Sequence, residues 1–107
     1  MPAQTYVIPL PKLTRYLLNV NHPRGGPKAQ FFLQRGFTLT DPMTLGVALF
    51  QHAIDYWPGV VLPQPYGQSH ECVGPMLLPD GTTRRIMSVW KIEAGQTMAS
   101  LLTAHPH

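Results

Sequence analysis

The chain has 107 residues, with eight Lys and Arg against five Asp and Glu, twelve Pro, nine Gly and one Cys. That length suits one domain with one core and is short for two, while so many prolines and glycines call for short elements joined by turns. A lone cysteine, Cys72, excludes an intrachain disulfide and agrees with a reducing compartment. The longest apolar stretch, 45–54, is interrupted by Gln51 and His52 and is about half of what a bilayer span needs, so no membrane segment is expected. Residues 1–6 show neither a charged leader nor a cleavage site, which makes the cytoplasm the expected location. Charge is divided unevenly: Lys12, Arg15, Arg24, Lys28 and Arg35 precede the first acid, Asp41. Such a basic half attracts polyanions, nucleic acid first among them, although a solvated basic helix face has the same composition.

In chain order, Pro11 suits a first helical turn, and Leu13, Tyr16 and Leu17 follow at helical spacing up to Asn19. Asn21-His22-Pro23-Arg24-Gly25-Gly26 reads as a loop, because a residue before proline avoids the helical region and paired glycines permit positive φ. Pro27 opens a second helix with Ala29, Phe32 and Leu33 inward, Phe31 at its edge, and Gly36 as a left-handed stop. Asp41-Pro42 is an N-cap and first-turn proline for a third helix reaching about Trp57, where Pro58-Gly59 ends it. Strand-like segments follow at 60–62, 69–78, 83–92 and 97–104, with Asp80-Gly81 as a hairpin turn of positive φ at both residues and 93–96 as a second connection. The expected fold class is α+β: two to three N-terminal helices packed on an antiparallel sheet of about four strands, in a single domain spanning 1–107.

The run Tyr16-Leu17-Leu18-Asn19, His22-Pro23, Gly25-Gly26, Lys28-Ala29, Phe31-Phe32 and Gly36-Phe37 resembles a small bacterial domain family found as standalone chains and as C-terminal tips of polymorphic toxins. The likeness continues through Tyr66-Gly67, Glu71, Gly74, Asp80-Gly81, Ser88-Val89-Trp90 and Thr103-Ala104. Similar toxin tips belong to the barnase, EndoU, colicin and RelE ribonuclease superfamily. The resemblance implies a ribonuclease toxin domain controlled by an antitoxin or immunity protein. Val20, His70, Ser100 and His105 depart from the family pattern, and Ser100 stands where a basic residue is common.

Metal-independent RNA cleavage by the ribose 2′-hydroxyl needs a base, cations for the developing phosphorane charge and an acid for the leaving oxygen. It calls for no cofactor and leaves a cyclic phosphate. His22 is the candidate base or acid, since imidazole exchanges protons near neutral pH. Its plainer reading is a ring that fixes the His-Pro turn. Lys28 is the candidate phosphate cation, because a lysine at a helix start otherwise opposes the helix dipole. Ser88 and Thr103 are candidates for orienting a phosphate oxygen or the ribose hydroxyl, with Leu101 and Thr103 expected on one strand face. Arg24, Arg35 and Arg85 are candidate phosphate contacts, and Tyr66 and Trp90 candidate stacking surfaces, although a tryptophan beside Val89 and Ile92 also suits a core. His70, Cys72, His105 and His107 suggest only two-ligand fragments of a metal site, so no metal is assigned. His70 reads as a replacement for a core aromatic, and His52 as a packed histidine. A non-catalytic RNA-binding or protein-interaction module of the same fold is the alternative.

Overall fold

In the computed structural model, residues 5–107 are described; the reading of residues 1–6 as lacking a signal falls in part on 1–4, outside the described residues. The strands are β1 (Thr5–Val7), β2 (Val60–Gln64), β3 (Gly67–Leu77), β4 (Thr83–Glu93) and β5 (Met98–Pro106). The helices are α1 (Leu10–Lys12), which continues as π-helical turns over Leu13–Leu17, α2 (Gly26–Gln34) and α3 (Pro42–Tyr56). The five strands form one sheet in the order β1-β5-β4-β3-β2. All neighbours are antiparallel except β1, which runs parallel to β5.

The α+β class and the order of helices before the hairpin strands stand as expected. Strand β1 was not anticipated and turns a four-stranded antiparallel sheet into a five-stranded mixed one. Three residues are too few for alternation to register, and its partner lies more than ninety positions away. Because β1 pairs with Met98, Ala99 and Ser100, no strand among the described residues lies beside the later part of β5 on that side. The helical segments close in on this open edge.

Burial follows period two in β4: Ile86, Ser88 and Trp90 are buried, whereas Met87, Val89 and Lys91 are half-buried. Trp90 belongs to the same core cluster as Leu17, Phe32, Leu45, Leu49 and Leu101. Strand β2 carries Val60, Val61 and Leu62 exposed and contains Pro63, which an edge strand tolerates because its amide side needs no partner. Two turns differ from expectation. Neither Gly25 nor Gly26 has positive φ, and at Asp80-Gly81 only Gly81 does, at 87°. Leu78 and Thr82 close that loop by the Leu78 amide donating to the Thr82 carbonyl at 2.8 Å. Gly36, at φ 105°, is the left-handed residue just past α2 that the sequence suggested.

One polar chain crosses the core. Trp90 Nε1–H donates to Ser88 Oγ at 3.0 Å, the Ser88 hydroxyl lies 2.8 Å from His52 Nδ1, and His52 Nε2 lies 3.0 Å from the Gly74 carbonyl. A neutral ring with its hydrogen on Nε2 satisfies all three contacts. Burial pushes the His52 pKa down, against smaller opposing contributions from hydrogen bonds to Gly74 and Ile86 and from the Asp55 charge. Unfolded His52 takes a proton near pH 6.5 while the folded ring resists it, so the stability of the neutral state is lost as pH falls below that value. Urea midpoints are therefore expected to drop between about pH 7.5 and about pH 5.5, with a smaller drop in His52→Gln. Equal slopes in both proteins would remove His52 as the cause.

Candidate functional site

At the open edge of β5, three side chains from three elements meet. Lys28 Nζ donates to Tyr16 Oη at 2.6 Å and to Thr103 Oγ1 at 2.9 Å, and the Tyr16 and Thr103 hydroxyls are 3.1 Å apart. All three residues are partly exposed, so the cluster reaches solvent. Tyr16 sits in the π-helical turns, where the Leu18 amide reaches back to the Leu13 carbonyl at 2.8 Å. The wider turn changes side-chain phase relative to an α-helix and is a recurrent feature of functional sites. Thr103 follows a β-bulge: Trp90 pairs with Leu101 but Val89 pairs with Thr103, leaving Leu102 extra. Bulges re-aim side chains. Leu101 and Thr103 consequently do not share a face as strand alternation predicted; Leu101 is buried opposite Trp90.

The loop 21–25 completes the cluster. His22 Nδ1 accepts hydrogen bonds from the backbone amides of Arg24 (3.1 Å) and Gly25 (2.9 Å). An acceptor at Nδ1 requires the neutral ring to carry its hydrogen on Nε2. The ring also stands edge-on to Tyr16, with centroids 4.9 Å apart. Gly25 and Gly26 matter here for close approach. A Cβ on Gly25 would lie 2.6 Å from the Tyr16 carbonyl oxygen and 2.8 Å from Tyr16 Cδ1; one on Gly26 would lie 2.6 Å from the Val20 carbonyl oxygen. Gly25→Ala is expected to displace Tyr16 and lower any activity of this cluster by about tenfold or more, since small misplacements of reacting groups are costly. Circular dichroism with a turnover assay checks this; full activity would show that the loop has slack.

Two positive charges act on the Tyr16 phenol. Partial burial pushes its pKa up, but the hydrogen bonds from Lys28 and Thr103 and the charges of Lys28 and Lys12 outweigh it and hold the phenol below 10. Lys12 Nζ and Lys28 Nζ each lie 5.1 Å from the ring centroid. This tyrosine is the residue that sequence reasoning missed. Its position fits the apolar spacing of the first helix, although it opens the Tyr16-to-Phe37 block that resembles the toxin family.

The remaining candidates divide. His22, Lys28 and Thr103 come together, with Arg24 exposed on the same loop. Ser88 and Trp90 are fully buried in the core chain described above, so neither touches a substrate without unfolding. Tyr66 is exposed in the β2–β3 turn, 6.0 Å by ring centroid from Lys91 Nζ, apart from the cluster. Strand alternation turns Arg85 away from the buried face, whereas Arg84 shares the side of Ile86 and lies over Phe31. Arg35 pairs with Asp80 at 3.6 Å.

The other histidines are held elsewhere. His70 stacks on Trp57 with centroids 4.1 Å apart, and its Nδ1 lies 2.9 Å from the Pro58 carbonyl. It therefore occupies an aromatic position. Burial pushes the Cys72 thiol up to about 11, which leaves it uncharged and unreactive at neutral pH. Among the described residues no three His, Cys, Asp or Glu side chains converge as a metal-binding group, and no helix is long and apolar enough to cross a membrane.

The chain belongs to the DUF6883 family of domains of unknown function. The match covers residues 2–107. Among solved structures, the DUF6883 chain is similar in fold to a chain of a contact-dependent growth inhibition toxin–immunity protein complex from Klebsiella pneumoniae 342. The TM-score is 0.72 at 14% identity, covering 94% of this chain and 99% of that one. No functionally curated protein matches the sequence.

Proposed function

We propose that this domain is a toxin whose activity is metal-independent endoribonucleolytic cleavage, held in check by a cognate immunity protein or antitoxin. The observation that carries the reading is the Lys28 ammonium bound to both the Tyr16 and Thr103 hydroxyls beside a tautomer-fixed His22. The likeness of the whole chain to one chain of a toxin–immunity protein complex supports the biological role, and the basic N-terminal half suits an RNA substrate.

On this reading the residues have distinct tasks. A tyrosine ionising below its ordinary range accepts the 2′-hydroxyl proton, and Lys28 stabilises that phenolate and the charge growing on the phosphoryl oxygens. Thr103 fixes the phenolic oxygen. His22, with its hydrogen on Nε2, donates a hydrogen bond to a non-bridging oxygen rather than carrying a proton between atoms. The 2′-oxygen forms its bond to phosphorus as the bond to the 5′-oxygen breaks; that oxygen takes a proton from water, and the hydroxide left takes the proton held by Tyr16, which restores the phenolate. A 2′,3′-cyclic phosphate and a 5′-hydroxyl result.

Purified protein is expected to cleave RNA in the presence of EDTA, to leave cyclic-phosphate ends and to spare DNA. Expression without a partner is expected to stop growth, with relief by Lys28→Ala. Intact RNA together with equal growth of wild type and Lys28→Ala would end this reading.

A further inference from the structure

Beyond the cluster, one face of α2 continues as a second feature. Lys28, Phe31 and Arg35 follow at intervals of three and four, so they line one side of the helix over about 10 Å. Phe31 is only half-buried and has a guanidinium on each of two approaches: Arg35 at 5.7 Å and Arg84 at 5.5 Å from the ring centroid. Arg84 comes from the start of β4, so two elements build the group. They are clamped together. The Asp80 amide donates to the Arg35 carbonyl at 3.0 Å, the Asp80 carboxylate pairs with Arg35, and Asp80 Oδ1 also accepts from the Thr82 amide at 3.0 Å and hydroxyl at 2.6 Å. Gly36 lets the hairpin approach so closely that a Cβ there would lie 2.9 Å from the Pro79 Cβ.

We infer that Phe31, Arg84 and Arg35 form a rigid subsite for a nucleotide flanking the scissile phosphate, with a base stacked against Phe31 and the guanidinium groups on its neighbouring phosphate. This rests on the reading of the Lys28 cluster as the cleavage site. An aromatic face with flanking arginines is the combination that single-stranded nucleic acids use, because every base has a π-face and every linkage a charge. Arg35 is part-neutralised by Asp80, whereas among the described residues no carboxylate pairs with Arg84, which leaves Arg84 as the principal phosphate contact. The subsite discriminates by stacking and strand flexibility rather than by base edges, so it favours unpaired RNA over duplex.

The test uses a fluorescent, fully 2′-O-methylated single-stranded RNA dodecamer, which lacks the attacking hydroxyl and so reports binding by the intact wild-type protein. Phe31→Leu and Arg84→Gln are each expected to weaken binding about tenfold. Arg84→Gln is also expected to lower the salt slope by about 0.7, the amount for one phosphate contact. Affinity unchanged in a folded Arg84→Gln protein would overturn the subsite, and this exposed position remains informative if Phe31→Leu misfolds. Unmodified dodecamer run in parallel separates the two claims. RNA that is bound through this face but never cut ends the catalytic reading, and with it the place beside a scissile phosphate, and leaves a binding face for unpaired RNA, whereas RNA cut with no loss of binding in either variant overturns the subsite and keeps the catalytic reading.

Discussion

Tyr16→Phe is expected to reduce RNA cleavage by about a hundredfold to ten-thousandfold, the usual worth of a positioned acid or base, while leaving the fold intact. The substitution removes one oxygen and keeps the ring that packs edge-on against His22. It also strands Lys28, which loses its 2.6 Å partner but keeps Thr103 at 2.9 Å. A purely structural tyrosine would instead cost stability and little rate. The pH profile separates the two further. With Tyr16 as base, kcat/KM rises with pH and levels off at the lowered phenol value, below 10. Lys28→Met deletes a hydrogen bond and a positive charge that both lower that value, so the rising limb is expected to move to higher pH as the maximum rate falls. A limb in the same place with and without Lys28 would show that another group sets the profile.

The parts of the fold that were legible are those written in backbone chemistry. Proline openings at Pro27 and Pro42, the stop at Gly36 and the switch from period 3.6 to period two after Pro58 all depend on neighbours in sequence, and each led to an element that exists. The misreadings share a different cause. Tyr16 follows the spacing of an apolar helix position, yet its hydroxyl oxygen has a partner 87 residues away. Gly25 and Gly26 satisfy a rule about positive φ that the loop does not use; what excludes a side chain is the nearness of Tyr16 and Val20. The bulge at Leu102 shifts every later residue of β5 by one place, so a correct strand still gave Thr103 the wrong neighbour. Likewise, Arg84 and Arg85 are interchangeable in composition. Only the register of β4 places Arg84 over Phe31 and turns its neighbour away.

Ser88→Ala is expected to lower stability by about 2–6 kcal/mol, because one lost hydroxyl leaves two buried groups without a partner, each costing about 1–3 kcal/mol. Trp90 Nε1–H loses its acceptor at 3.0 Å and His52 Nδ1 its donor at 2.8 Å, in a core where Ser88 and Trp90 are entirely covered. For a domain of this size that is a fall in Tm of about 10 °C or more. Trp90→Phe opens a cavity and removes one end of the chain, but the Ser88 hydroxyl can still donate to His52. Combining the two substitutions therefore costs less than their sum, since each removes the same Trp90–Ser88 bond. Thermal unfolding of the two single variants and the double variant measures that coupling, and strict additivity would mean the chain is not energetically joined. The rate per folded molecule distinguishes this role from catalysis. Ser88 meets His52 and Trp90 and not Lys28, Tyr16 or Thr103, so Ser88→Ala assayed well below its melting transition is expected to retain the wild-type rate. A large loss of rate at full folding would return Ser88 to the candidate catalytic set and require the core to open during turnover.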